Sequence, residues 1–371
     1  MAVTRIAAAE LLARLGEFDT LIDARSPSEF AEDHVPGAVN WPSLDDAQRH
    51  AVGTQYAQVS AFDAKKRGAV LVARNIATHL EREAVDKPKH WRPLVYCWRG
   101  GQRSGALATV LGQIGWQVAL LDGGYREYRR AVIAELETLP QTLEMRVVCG
   151  TTGSGKSRLL HLLSSMGEQV LDLEGLANHR GSVLGLVPGQ RQPGQKMFES
   201  MLWNRLQSFD SGRCVWVESE SKKVGEVQVP PALVQRMHAS PCARLDLRLD
   251  ERVALLTREY RHFIDDVEAF CNRLDALRVL RGNDVIGAWQ QAARTGSIDS
   301  VVRDLLAKHY DPIYLQSMRR NFAGFSAPQM HFEWDGSQQG LLAAARHFMG
   351  EHPSAHVQAA IDGEVGTRRK S

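Results

Sequence analysis

The 371-residue chain has no Cys-x-x-Cys pair, no apolar run near the roughly 18 residues that cross a bilayer, and almost no surplus charge, at +2 formally. The missing cysteine pair removes a common zinc-ligand spacing. Five cysteines, an odd number at irregular spacing, argue against a disulfide framework and fit a reducing compartment. Without a long apolar run no membrane partner is expected, and Met1–Arg5 leads into an amphipathic run rather than a signal peptide, so the expected location is the cytoplasm. The balanced charge rules out a uniformly basic nucleic-acid binder, yet it leaves room for a basic patch on one face. At 44% hydrophobic and 24% charged residues, the chain is globular and long enough for two domains.

The most informative stretch is Val95-Tyr96-Cys97-Trp98-Arg99-Gly100-Gly101-Gln102-Arg103-Ser104. A strand-like Leu94-Val95-Tyr96 delivers a cysteine into a glycine-rich, cationic turn, and a helix opening at Ser104 points its N-terminal end at an anion. Such surroundings favour the reactive thiolate over an inert buried thiol. Arg103 is the candidate for stabilising an anion there, and five residues separate it from Cys97.

Around this loop, strand and helix patterns alternate. A short helix is expected at 6–16, a strand at Thr20–Ala24, a long, largely helical stretch at Tyr56–Glu83, a helix at 104–114 and a strand at Val118–Leu121, which together describe an open, mainly parallel α/β sheet. Asp23 is expected to hold the turn after its strand, and His34 to be a hydrogen-bonded turn residue rather than a base. Pro140-Gln141-Thr142 marks a boundary, which gives domains at 8–137 and 141–350 and a polar, disordered tail at 351–371.

The second domain opens with a strand, Met145–Cys149, then Gly150-Thr151-Thr152-Gly153-Ser154-Gly155-Lys156-Ser157, then a helix from Ser157 to Met166. This is the complete G-x-x-x-x-G-K-[ST] pattern in its required context. Its glycines let backbone amides wrap phosphate oxygens, Lys156 adds positive charge and the Ser157 hydroxyl can ligate Mg²⁺, although no metal is firmly implied. Glu218 ends a further apolar strand and is the candidate Walker-B-like acid, with Asp172 a weaker one. Arg244, Arg248, Arg258, Tyr260 and Arg261 form the candidate RNA contacts, whereas Trp203 and Trp216 lie in apolar stripes and are expected in the core.

In the first domain, Asp23-Ala24-Arg25-Ser26-Pro27-Ser28-Glu29-Phe30, His34-Val35-Pro36-Gly37-Ala38-Val39-Asn40, the Cys97 loop and Asp122-Gly123-Gly124 resemble the rhodanese domain, with a loop longer than in ordinary thiosulfate sulfurtransferases. The fold expected is therefore a rhodanese-like open parallel sheet followed by a P-loop NTPase-like α/β domain with a more helical C-terminal part. The two signatures in this order, with Asp172–Ser182, Gln192–Lys196 and Val217–Ser221, resemble the bacterial tRNA 2-selenouridine synthase family. That resemblance implies replacement of sulfur by selenium in wobble-position 2-thiouridine of tRNA, through an S-geranyl intermediate made from geranyl diphosphate. Selenophosphate is the implied donor, Cys97 the implied perselenide carrier and a selenophosphate supplier an implied partner; no cofactor is expected to be tightly bound. The P-loop would then hold a diphosphate rather than ATP. Two alternatives stay open: a phosphatase of rhodanese fold, from the Cys-x5-Arg spacing, and a sulfur-only tRNA sulfurtransferase.

Overall fold

The computed structural model describes residues 3–180, 191–259 and 266–350. The expected tail at 351–371 lies outside them. The chain divides into two compact units: one runs to Thr138 and takes in Pro193–Asn204, and the other begins at Leu139 and excludes that returning segment.

The first unit is built on five parallel strands: β1 (Val3–Ile6), β2 (Thr20–Asp23), β3 (Val39–Asn40), β4 (Pro93–Tyr96) and β5 (Val118–Leu121), in the order β1-β5-β4-β2-β3. β4 and β5 are buried at every residue, as strands covered on both faces must be. Ile22, Val95, Leu107, Leu111 and Trp116 share one core cluster, and each side chain of this size contributes about 1.5–3 kcal/mol when fully buried. The expected helix at 6–16 is shorter, Ala8–Ala13, because β1 claims the residues before it. The helical stretch expected at Tyr56–Glu83 begins earlier and is broken: helices Asp46–Gln58 and Ala61–His79 meet at a turn. Ser60 caps the second by accepting from Asp63 N.

The returning segment was not legible as part of this unit. Phe198, Leu202 and Trp203 are fully buried. The Trp203 indole N–H donates to Glu135, its ring meets Tyr128 edge-on, and Lys196 pairs with Glu32 at 2.6 Å.

The second unit has a second parallel sheet of five strands: β6 (Met145–Cys149), β7 (Gln169–Leu171), β8 (Val215–Glu218), β11 (Cys242–Leu247) and β12 (Met330–Trp334), in the order β12-β11-β6-β8-β7. A small antiparallel pair, β9 (Lys223–Val224) and β10 (Val227–Gln228), stands apart from it. Trp216 is buried against the Phe348 ring, and both join Leu159, Leu163 and Leu245 in the core. Toward the C-terminus, helices from Val267 to Leu305 enclose a cluster of their own around Phe270, Leu274 and Trp289. Among the described residues no helix is long and apolar enough to cross a membrane.

Candidate functional sites

Parallel sheets present ligands at the carboxyl ends of their strands, and both candidate sites lie there. β4 delivers Cys97, which is 3% exposed, at the foot of its loop. Two glycines beside it leave no room for a side chain. Gly124 has φ +65°, and a Cβ there would overlap the Cys97 carbonyl oxygen and the Gly100 nitrogen. Gly100 has φ +64°, and a Cβ there would come within 2.8 Å of the Leu121 carbonyl. The Asp122-Gly123-Gly124 turn is thus pressed against the cysteine loop, and the amides of Tyr125 and Arg126 donate to the carbonyls of Cys97 and Trp98 at 2.8 and 3.2 Å.

Beneath the loop, Arg25 is buried in a paired contact with Asp23 and lies 3.9 Å from the Tyr125 ring centroid. Tyr125 stacks on Trp98 and donates its hydroxyl to Asp33 at 2.7 Å. His34 stacks on Phe30, and its Nδ1 bonds the Phe30 carbonyl.

The hydroxyl of Ser104, in the first turn of the helix Gln102–Ile114, donates to the Cys97 sulfur at 3.0 Å. Arg103 is placed otherwise: its guanidinium pairs with Glu29 at 3.2 Å, and Arg49 Nε reaches the same oxygen at 3.2 Å. Burial alone would raise the Glu29 carboxyl, but the Ser26 amide, Arg103 and Arg49 outweigh it and hold it below its ordinary value. The sulfur therefore accepts from a hydroxyl, a role the sequence does not mark for Ser104.

In the second unit, Gly150–Ser157 form the turn between β6 and the helix Lys156–Ser165. Gly153 and Gly155 adopt φ +77° and +90°, and a Cβ on either would press into Leu256 or Trp334. Three contacts hold the loop. The Trp334 indole donates to the Ser154 carbonyl at 2.8 Å, the Arg252 guanidinium donates twice to the Thr152 carbonyl, and the Tyr314 hydroxyl accepts from the Gly150 amide at 2.9 Å. Lys156 Nζ donates to the Gly150 carbonyl at 2.8 Å.

An acidic group faces the start of this helix. Ser157 Oγ donates to Glu174 at 3.0 Å, and the Glu174 amide donates to Glu218 Oε1 at 2.9 Å. The other Glu218 oxygen is buried with no partner. Burial, then the charges of Asp172, Glu220 and Glu174, push the Glu218 carboxyl well up. Glu220 is pushed up to about 8 by burial and by Glu174. Glu174 is also raised, by burial first, against the pull of Lys156. Asp172 is turned to structure, capping the helix Leu173–Leu176 and bonding His161 at 3.0 Å. Oxygen donors of this kind suit Mg²⁺, and the orphaned Glu218 oxygen fits such an ion. Among the described residues, however, no three His, Cys, Asp or Glu side chains form a metal cage.

Of the candidate RNA contacts, Arg244 is bound to Asp246 at 2.9 Å, Arg248 is exposed, and Arg258 is exposed with its Nε on the Ala254 carbonyl of its own helix. Tyr260 and Arg261 lie outside the described residues, as do Gly181 and Ser182. Arg252, in the same stretch, is buried and serves the P-loop instead.

Residues 7–131 match the family model of the rhodanese-like domain, and residues 143–278 match that of the tRNA 2-selenouridine synthase AAA domain. The chain is similar to proteins named tRNA 2-selenouridine synthase from three bacteria. The Sulfurovum sp. protein is 31% identical, over 81% of this chain and 89% of the relative. The Cupriavidus necator protein is 34% identical over 79% and 87%, and the Marinobacter nauticus protein 29% identical over 86% and 94%.

Proposed function

We propose, from the premise that this chain belongs to the tRNA 2-selenouridine synthase family, that it is a cytoplasmic enzyme that replaces sulfur by selenium in wobble 2-thiouridine of tRNA in two steps, one for each site. The observation that carries the reading is a lone cysteine hydrogen-bonded by Ser104 at the end of one sheet, with a complete P-loop at the end of the other.

In the first step the thiocarbonyl sulfur attacks geranyl diphosphate. A C–S bond forms, the C–O bond breaks, the diphosphate leaves with the electron pair, and the nucleoside loses its N3 proton. The P-loop amides of Gly150–Ser157 and the Lys156 ammonium hold the diphosphate, so charge that develops on the leaving group is met by donors already in place. Mg²⁺, where bound, would be held by Ser157, Glu174 and the orphaned Glu218 oxygen and would supply countercharge to the diphosphate.

In the second step selenium replaces the geranyl-thiol at C2, a better leaving group than sulfide. Cys97 carries the selenium as a perselenide. Water cleaves the P–Se bond of selenophosphate, releasing phosphate and selenium at the selenide level, so electron balance requires Cys97 to enter as a mixed disulfide with a small thiol. Selenide displaces that thiol, the perselenide displaces geranyl-thiolate from C2, and the thiol then cleaves the Se–S bond and restores the mixed disulfide. No cofactor remains bound. The pairing of Arg103 with Glu29 gives no support to a phosphatase, in which the arginine must face the anion.

The test is mass spectrometry of tRNA nucleosides after incubation with geranyl diphosphate, selenophosphate, and a small thiol together with its disulfide, which converts Cys97 to the mixed disulfide. Cys97→Ser should accumulate S-geranyl-2-thiouridine without selenium, and Lys156→Ala should block geranylation. Intact geranylation with lost selenation in Lys156→Ala would overturn the P-loop assignment, and loading of Cys97 only by a persulfide donor would make the enzyme a sulfurtransferase.

A further inference from the structure

The first unit carries an element that neither step uses. Between β3 and β4 the helices Asp46–Gln58 and Ala61–His79 form a hairpin. The first buries no side chain, and the second, 19 residues long, buries only Ala64 and Ile76. At about 1.5 Å per residue the longer helix spans about 28 Å. Core packing does not account for a pair of this size. Its surface is cationic: segment 46–79 holds Arg49, Lys65, Lys66, Arg67 and Arg74 against Asp46 and Asp63, a net +3 where the whole chain has +2. Both acids are engaged, Asp46 by the Ser28 hydroxyl at 2.5 Å and Asp63 by Lys66 at 2.6 Å. Lys65, Arg67 and Arg74 are exposed, and among the described residues no carboxylate pairs with them.

Large apolar side chains are exposed at the turn: Tyr56 at 54%, Val59 at 79% and Phe62 at 70%. The Lys66 ammonium already lies 4.9 Å from the Phe62 ring centroid. The foot of the hairpin is tied to the cysteine loop. Arg49 shares Glu29 with Arg103, and Asn75 bonds the Ser43 carbonyl at 3.0 Å while the Ser43 hydroxyl bonds the Arg103 carbonyl at 3.2 Å.

We infer that this hairpin is the docking surface for the RNA substrate, with Arg67 and Arg74, which 3.6 residues per turn sets on one side of the longer helix, on backbone phosphates and the rings of Tyr56 and Phe62 stacked on unpaired bases. The inference rests on the reading that the substrate is a tRNA. Cations beside exposed rings suit single-stranded RNA loops, whose phosphates and splayed bases take both; an acidic peptide would leave the rings unexplained.

The test uses the full chain with Arg67→Gln and Arg74→Gln combined, and a tRNA bearing wobble 2-thiouridine. Its affinity should fall at least tenfold, and the log–log salt slope should flatten by about 1.4–1.8, at about 0.7–0.9 per phosphate contact. The catalytic loss should fall on KM rather than kcat. In the parent, bound tRNA should shield Lys66, beside the Phe62 ring, from an acylating reagent, a readout that holds even if the double variant folds poorly. Unchanged affinity and slope in a folded variant, or no shielding in the parent, would overturn the inference while leaving the tRNA reading intact. A variant that loses self-association but keeps its tRNA affinity would likewise overturn it, making the hairpin an interface between copies. A parent that binds no tRNA would sink both readings.

Discussion

Ser104 donates its hydroxyl to the sulfur of Cys97 at 3.0 Å, from one turn into the helix that the cysteine loop feeds. A hydrogen bond to a charged group is worth about 1.5–3 kcal/mol, against about 1 kcal/mol for a neutral pair. Ser104→Ala should therefore cost the fold about 1 kcal/mol and slow alkylation of Cys97 at neutral pH about tenfold, since about 1.4 kcal/mol is a factor of ten. Peptide-resolved iodoacetamide kinetics separates Cys97 from the other four thiols. Equal rates in parent and variant would mean that the hydroxyl does not stabilise the thiolate.

Gly124 and Gly115 give a paired test of the loop's backing. Both have positive φ, but a Cβ at Gly124 overlaps the Cys97 loop, whereas one at Gly115 meets nothing within 4 Å. Gly115→Ala should show left-handed strain alone, about 1–2 kcal/mol by urea unfolding. Gly124→Ala should cost more than that and also abolish selenium transfer, because the Cys97 and Gly100 backbone must move. Similar losses in both variants would show that the Asp122-Gly123-Gly124 turn does not set the loop's shape.

The acidic group of the second unit makes stability depend on pH. The Glu220 carboxyl is pushed up to about 8 in the folded chain by burial and by Glu174, from an ordinary value of 4.5. The folded state therefore holds a proton that the unfolded chain has released. Its contribution is complete below pH about 4.5 and is lost as pH rises through about 8. Melting temperature should fall across this window, and Glu220→Gln should flatten the fall. A variant whose melting curve tracks the parent's from pH 5 to 9 would assign the dependence elsewhere.

Much of this architecture was legible because two local patterns are stringent. The cysteine loop and the P-loop each need glycine where a Cβ would collide, and those glycines stand in the sequence next to buried strands. The partners that lock each loop were harder to read, since they come from far along the chain. Tyr314 is 164 residues from Gly150, and Trp334 is 180 from Ser154; nothing local marks either. β1 and β12 were missed because each is a short edge strand with mixed burial. Arg103 misled for a physical reason: spacing fixes where its Cα lies, but Glu29, from a different helix, takes its guanidinium. Residues 193–204 could not be assigned to the first unit from sequence, because a helix with buried Phe198 and Trp203 reads the same whichever core accepts it.

Arg252 is the remaining long-range support of the P-loop, and its role separates holding the loop from holding the fold. Its guanidinium donates to the Thr152 carbonyl at 2.9 and 2.7 Å and makes a two-pronged contact with Asp311 at 2.9 and 2.6 Å. Lysine keeps the charge but lacks the planar fork that meets both partners at once. Arg252→Lys should therefore lower stability by about 1–3 kcal/mol, below the roughly 3–5 typical when a fully buried pair is broken, because Asp311 keeps 20% of its side chain exposed. The more telling measurement is geranyl diphosphate affinity. It should fall about tenfold, the effect of about 1.4 kcal/mol, since an untethered Thr152 carbonyl frees the loop backbone that is proposed to hold the diphosphate. Asp311→Asn, which keeps a hydrogen-bonding side chain beside Arg252, should lose stability with less loss of affinity. Equal affinity in the parent and Arg252→Lys, with the stability loss still present, would show that Arg252 braces the fold without shaping the phosphate cradle.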